Sequence, residues 1–211
     1  LFCGMSVSPQ TPIYLDKSQP IEQRIEDALS RMTLQEKINI IHAQSKFSAP
    51  GVPRLGIPEL WCTDGPMGVR PEVMWDEWDQ AAWTNDSCMA FPALSCLAAT
   101  WNPRMASLYG KSIGEEARFR NKSVLLGPGI NVYRTPLCGR NFEYFSEDPL
   151  VTGQFAAAMT RGIRSAGSSA TVKHFAANNQ ETERHNVNSV VSERALREIY
   201  LKGFEIAVKE S

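Results

Sequence analysis

A chain of 211 residues with 43% hydrophobic content is long enough to bury a core and too apolar to be disordered. Its 22 basic and 23 acidic residues are interspersed and sum to a net charge of −1, which excludes the electrostatic footprint of a nucleic-acid or anionic-lipid binder and points to a neutral ligand. The five cysteines form no C-x-x-C pair, so they read as free thiols rather than as a zinc cluster or a disulfide framework.

The first residues, Leu1-Phe2-Cys3-Gly4-Met5-Ser6-Val7-Ser8, resemble the tail of a secretory signal peptide, so a periplasmic or secreted protein is expected; an ordinary flexible terminus is the competing reading. Residues 1–18 are taken as that terminus and 19–211 as one folded domain. No apolar run is long enough to span a bilayer.

From Gln19 to Ala43, Ile21, Ile25, Leu29 and Met32, then Leu34, Ile38 and Ile41, recur at helical spacing. Thr33 with Glu36 is a capping box, so a second helix starts at Thr33. The Pro- and Gly-rich stretch from Ser45 to Pro58 reads as a loop, and Ile57 to Cys62 as a strand closed by the turn Thr63-Asp64-Gly65-Pro66. Pro71 to Asp86 has no clear period and carries Trp75, Trp78 and Trp83, which fits a long functional loop; each Trp serves either as a stacking face for a ligand or in packing or a dimer contact.

Asn102-Pro103 opens a helix through about Arg118, with Met105, Leu108, Tyr109 and Ile113 expected on its buried face. Ser123 to Val132 is a near-continuous apolar run of the kind found in a parallel strand covered on both sides. Within it, Leu126-Gly127-Pro128-Gly129 lacks the pattern of a phosphate loop and reads as a strand-end bend. Asp148 as N-cap and Pro149 at the first position open a helix to about Ser165, followed by a strand from Ala170 to Phe175. A last amphipathic helix carries Leu196, Ile199, Tyr200, Phe204 and Val208, and the helical apolar stripes are taken as core.

Strand and helix thus alternate behind a helical leader. The fold class is α/β, a partial TIM-type (β/α) barrel of about three βα units; eight strands and about 250 residues would close such a barrel, so a chain cut short, with an unpaired strand edge able to self-associate, is expected. In these barrels functional side chains stand at the carboxyl ends of several strands and face one mouth. Asp64, Arg140, Lys173 and His174 occupy such positions. Taken alone they have simpler explanations: Asp64 shapes a turn, Arg140 holds Glu143 or Glu147, and Lys173-His174 is a satisfied pair. Glu147 and Asp148 read as helix-start residues. Glu181, Glu183 and His185 do not converge at metal-ligand spacing.

The ordered motifs R-M-T-L-Q-E-K-I at Arg31 to Ile38, L-G-I-P-E-L at Leu55 to Leu60, the Asp64 and Arg140 segments, Lys173-His174 and Leu196 to Tyr200 resemble the N-terminal part of glycoside hydrolase family 3, in its β-glucosidase branch. Phe-Ala-Ala-Asn-Asn after His174 differs from the hexosaminidase branch. The resemblance implies a (β/α)8 barrel and retaining, exo-acting hydrolysis of terminal β-D-glucose from oligosaccharides or β-glucosides, without metal or organic cofactor. It implies that Asp64, Arg140, Lys173 and His174 hold the sugar hydroxyls, with Arg70 and Arg184 as further pocket arginines. A carboxylate accepting two hydroxyls beside Arg and Lys donors suits a polyol.

A retaining glycosidase needs two carboxyl groups about 5–5.5 Å apart. The family's nucleophile stands in an S-D-W or T-D-W motif, which this sequence lacks. Its acid/base belongs to a second domain. The chain by itself is therefore expected to be inactive. β-Xylosidase or α-L-arabinosidase activity, and a non-catalytic carbohydrate-binding or structural chain, are the alternatives.

Overall fold

The computed structural model describes residues 11–82 and 87–211. The expectations for Leu1 to Ser8, Cys3 and Trp83 lie outside the described residues. Two compact units divide at Glu59 and Leu60.

The first unit contains α1 (Ile21–Arg31), α2 (Leu34–Ile40) and the two-residue strand β1 (Ser48–Ala49). The capping box forms as expected: the Glu36 amide donates to Thr33 Oγ1 at 3.2 Å and the Thr33 amide donates to Glu36 Oε2 at 2.8 Å. The apolar stripes do not become core here. Ile21, Ile25, Leu29, Leu34, Ile38 and Ile41 are all exposed, because two short helices offer each other too little surface to enclose them.

The second unit is built on the strands β2 (Leu60–Asp64), β3 (Val124–Leu126) and β4 (Ser169–Ala170). They pair in parallel, with Asp64 opposite Leu126 and Leu125 opposite Ala170. β2 begins later than expected because Ile57 is engaged in an antiparallel bridge with Val52, with Pro58 following it. β4 is shorter than expected because β3 bends at Gly127-Pro128, where Pro128 lacks an amide donor. Beyond the bend, pairing resumes between Gly129 and Lys173, with the Ile130 amide donating to the Lys173 carbonyl at 2.7 Å.

The crossovers are α3 (Leu94–Ala99) with α4 (Pro103–Phe119), then α5 (Pro149–Ser165), with α6 (Glu193–Ala195), a π-helical turn over Leu196–Tyr200 and α7 (Lys202–Glu210) after β4. Asn102 caps α4 through Oδ1, and Asp148 Oδ1 accepts from the Leu150 and Val151 amides to open α5. The buried face of α4 is not the one expected. Tyr109 and Ile113 are buried, whereas Met105 and Leu108 are exposed; the rest of the buried stripe is Ala106, Gly110, Gly114 and Ala117. These small residues let α4 approach α5 closely, and the larger side chains flank the contact.

Before α7 the π-helical turn takes up an extra residue and so rotates the face that α7 turns to the core. Gly203, Ile206 and Ala207 are buried there, and Val208 is exposed. The core joins Leu125 and Ile130 to Ile113, Phe145, Phe155, Met159 and Ile163. No helix of the described residues is long and apolar enough to cross a membrane.

Candidate active site

Three strand ends bring the site together. Asp64 is the last residue of β2, Arg140 to Tyr144 lie in the connection after β3, and Lys173 and His174 follow β4. The turn after Asp64 reverses tightly: its Oδ1 accepts from the Gly65 amide at 2.9 Å and its carbonyl accepts from the Arg70 amide at 3.0 Å. Gly65 has φ +119°, and a Cβ there would stand 1.8 Å from the Gly68 carbonyl oxygen, so only glycine fits.

Asp64, Arg70, Arg140 and Glu143 share one cavity of about 490 Å³, walled otherwise by apolar groups such as Pro66, Met67, Met89 and Phe142. That size and mixture suit a small organic ligand fixed by a few polar contacts. Lys173 Nζ donates to Asp64 Oδ1 at 2.6 Å, across 109 positions of sequence, and lies 3.5 Å from Glu143 Oε2. Arg140 pairs with Glu143, which is only 3% exposed, and its Nη1 lies 3.7 Å from Glu181 Oε1.

Arg184 Nη1 donates to Glu181 Oε2 at 3.1 Å and joins the network only through that carboxylate. The structure thus gathers Asp64, Arg70 and Arg140 around the cavity, sets Lys173 against Asp64, and leaves Arg184 in an outer layer. The Arg140 guanidinium lines the cavity and is held there by Glu143, the pairing expected of it.

His174 is oriented by a second set of bonds. Its amide donates to Asn131 Oδ1 at 2.9 Å, and Asn131 Nδ2 donates to its carbonyl at 3.2 Å. Asn131 Oδ1 therefore faces the ring, 3.1 Å from Nδ1, which calls for the Nδ1–H tautomer and leaves Nε2 as an acceptor. Tyr144 lies 3.2 Å from the same nitrogen and accepts from Asn178 Nδ2 at 3.3 Å.

The charges are set by these neighbours. Burial pushes the Asp64 carboxyl upward, but Lys173, the Gly65 amide and Arg140 outweigh it and hold the group below its ordinary value. Burial, then Arg140 and Lys173, depress the His174 imidazole to about 4. Burial likewise raises the Glu181 carboxyl, yet Asn178, Arg140 and Arg184 bring it below the usual range. Burial lifts the Tyr144 phenol well above its ordinary value. Near neutral pH the site therefore holds an ionised Asp64, a neutral imidazole and a protonated phenol, a set of acceptors and donors fitted to hydroxyl groups.

Glu143, Tyr144, Asn131, Asn178 and Glu181 complete the cluster and were not singled out as site residues by sequence reasoning. Glu143 carried one signal: a carboxylate three residues from Arg140, inside a segment whose neighbours Tyr144 and Phe145 are apolar enough to be buried.

A sequence profile of the glycosyl hydrolase family 3 N-terminal domain matches residues 40–211. The chain belongs to this family. A β-glucosidase of Bacteroides ovatus is 59% identical to this family 3 chain over 200 residues, covering 95% of the chain and 27% of the relative. An exo-α-(1→6)-L-arabinopyranosidase of Bifidobacterium longum is 39% identical over 180 residues, covering 85% of the chain and 24% of the relative. Among solved structures, β-glucosidase 3B from Thermotoga neapolitana in complex with α-D-glucose superposes with a TM-score of 0.78 at 43% identity, over 89% of this chain and 28% of that one. A β-glucosidase from Kluyveromyces marxianus in complex with glucose gives 0.81 at 39% identity, over 88% and 22%. The family 3 chain thus spans about a quarter of the length of the relatives it matches.

Proposed function

We propose that this chain supplies the glycone-binding wall of a retaining, exo-acting β-glucosidase that removes terminal non-reducing β-D-glucosyl residues from oligosaccharides. The observation that carries the reading is the convergence of Asp64, Arg140 and Glu143 on one cavity, with Lys173, after a third strand, held against Asp64 and Glu143. Asp64 accepts sugar hydroxyls, Arg140, Arg70 and Lys173 donate to them, and the neutral His174 presents Nε2; Arg184 acts from the outer layer through Glu181.

The carboxylates gathered here are hydroxyl acceptors rather than the catalytic pair. A general acid needs a raised pKa, whereas Lys173 above all holds Asp64 below its ordinary value, and Asn178, Arg140 and Arg184 do the same for Glu181. The nucleophile and acid/base are assigned to the part of the relatives' length that this chain does not span. A second reading, α-L-arabinopyranosidase, is favoured by the Bifidobacterium relative. Such a sugar lacks the exocyclic carbon of glucose and has the opposite configuration at C4, so only the acceptors that meet the shared O2 and O3 hydroxyls serve both.

The test is Asp64→Ala in the full-length protein that carries this chain, assayed on aryl β-glucosides. Two charge-assisted hydrogen bonds at about 1.5–3 kcal/mol each set the expected loss in kcat/KM at roughly 10²- to 10⁴-fold. Unchanged turnover would remove Asp64 from the site. No turnover of β-glucosides by the wild type would remove the function, and preference for an aryl α-L-arabinopyranoside would select the second reading.

A further inference from the structure

The stretch between Arg70 and α3, unpatterned in sequence, carries a structural device next to the cavity. Glu72 to Ala81 closes as a short hairpin: the Ala81 amide donates to the Glu72 carbonyl at 2.8 Å, the Met74 amide donates to the Asp79 carbonyl at 2.9 Å, and Val73 pairs antiparallel with Gln80. Its base is pinned by Lys122, which is 5% exposed and places Nζ 2.6 Å from Glu72 Oε1. The same ammonium lies 4.6 Å from the centroid of Trp61, and Trp61 meets Trp75 edge-on at 6.1 Å. A buried lysine is tolerated only where its partner stays in place, so the base of the hairpin is held to one position.

Trp78, near the tip, lies with its ring 5.9 Å from the Arg70 guanidinium carbon, within the range of a cation–π contact. Arg70 lines the cavity beside Asp64. The structure therefore separates the tryptophans that sequence treats alike: Trp75 packs against Trp61, and Trp78 faces Arg70.

We infer that the 72–81 hairpin is a positioning device for Arg70, with Trp78 setting the plane of its guanidinium at the cavity wall and the Lys122–Glu72 pair holding the hairpin in register. The inference rests on the glycone-binding reading of the cavity. An arginine side chain has many rotamers of similar energy, and a ring against one face removes most of them before a sugar arrives. Trp78 acts through Arg70 and touches no reacting atom.

A double-mutant cycle in the full-length protein tests this. Trp78→Ala should raise both KM for an aryl β-glucoside and the inhibition constant of glucose by the same factor, about two- to five-fold for a half-exposed contact, with kcat changed less. Trp78→Phe should restore most of the loss. In the Arg70→Ala background, Trp78→Ala should add nothing. An equal effect in both backgrounds overturns the inference, as does an effect on a disaccharide substrate without any on glucose, which would make Trp78 a platform for a second sugar.

A readout independent of turnover keeps this separate from the proposed activity. The Nε–H resonance of Arg70 should lose its ring-current shift in Trp78→Ala. An unmoved resonance overturns the inference even where the glycone reading stands, and a moved one supports the contact even where β-glucosides prove not to be substrates.

Discussion

Replacing Glu143 by Gln tests whether the charge cluster holds the site together. Three carboxylates, Asp64, Glu143 and Glu181, face three cations, Arg140, Lys173 and Arg184. Of the three carboxylates Glu143 is the deepest, its side chain only 4% exposed, against 33% for Asp64 and 25% for Glu181. Removing one partner of a buried pair costs about 3–5 kcal/mol, because the charge left behind has lost both water and its counter-ion. Gln keeps the shape and one acceptor, Arg140 retains Glu181 at 3.7 Å, and Lys173 retains Asp64 at 2.6 Å. The expected loss is therefore somewhat below that range, about 2–3 kcal/mol.

Equilibrium urea unfolding followed by tryptophan fluorescence reads this directly, since Trp61, Trp75, Trp78 and Trp101, the tryptophans among the described residues, all lie in the second unit. With a denaturant slope of about 2–3 kcal/mol/M, the midpoint should fall by roughly 1 M. Glu181→Gln is the internal comparison. That carboxylate is partly solvated, so its removal should cost about 1 kcal/mol or less. Equal losses in the two variants, or a loss below about 1 kcal/mol for Glu143→Gln, would refute the claim that the cluster is anchored by its buried member.

His174, depressed to about 4, binds fewer protons folded than unfolded between pH 4 and its ordinary value near 6.5. Stability should therefore fall as pH drops through that window, and His174→Gln should flatten the Tm profile above pH ~5, where Asp64 and Glu181 have not begun to titrate; a profile equally steep in the variant would contradict the assignment. Gly110→Ala would place a Cβ 2.1 Å from the Met159 carbonyl oxygen, a backbone atom that cannot step aside, so a loss of about 1–3 kcal/mol is expected in thermal unfolding. Gly203→Ala, where a Cβ would meet its nearest neighbour at 3.6 Å, should instead stabilise by about 0.5–1 kcal/mol through helix propensity, and a loss there would contradict the packing described for α7.

Helix starts were legible in the sequence because the bonds that make them close within three residues. Thr33 with Glu36, Asn102 before Pro103 and Asp148 before Pro149 each cap the helix expected. The positions of Asp64, Lys173 and His174 were legible as well, since charged residues after apolar runs mark strand ends in an alternating α/β order, whereas Arg140 stands well along the loop after β3 and only the fold brings it to them; the motif order added the family. The strand lengths were not, because the bridge that engages Ile57 and the bend at Pro128 depend on what each residue pairs with.

Tertiary structure alone decided which groups lie inside. Met105 and Ala106 look unequal in sequence, yet the alanine is buried and the methionine exposed, because the approach of α4 to α5 favours the small stripe. Val208 follows the stripe of Leu196, Ile199 and Tyr200 in sequence, but the π-helical turn over those residues rotates α7 relative to them, and Ile206 and Ala207 are buried while Val208 is exposed. The burial of Glu143 and Lys122 depends on partners far away in sequence, Lys173 for one and Glu72 for the other, which offset its cost. Local hydrogen bonds and periodicity are written into neighbouring residues. Burial of a charge, the face of a helix and the pose of Arg70 arise from contacts between segments that only the folded chain brings together.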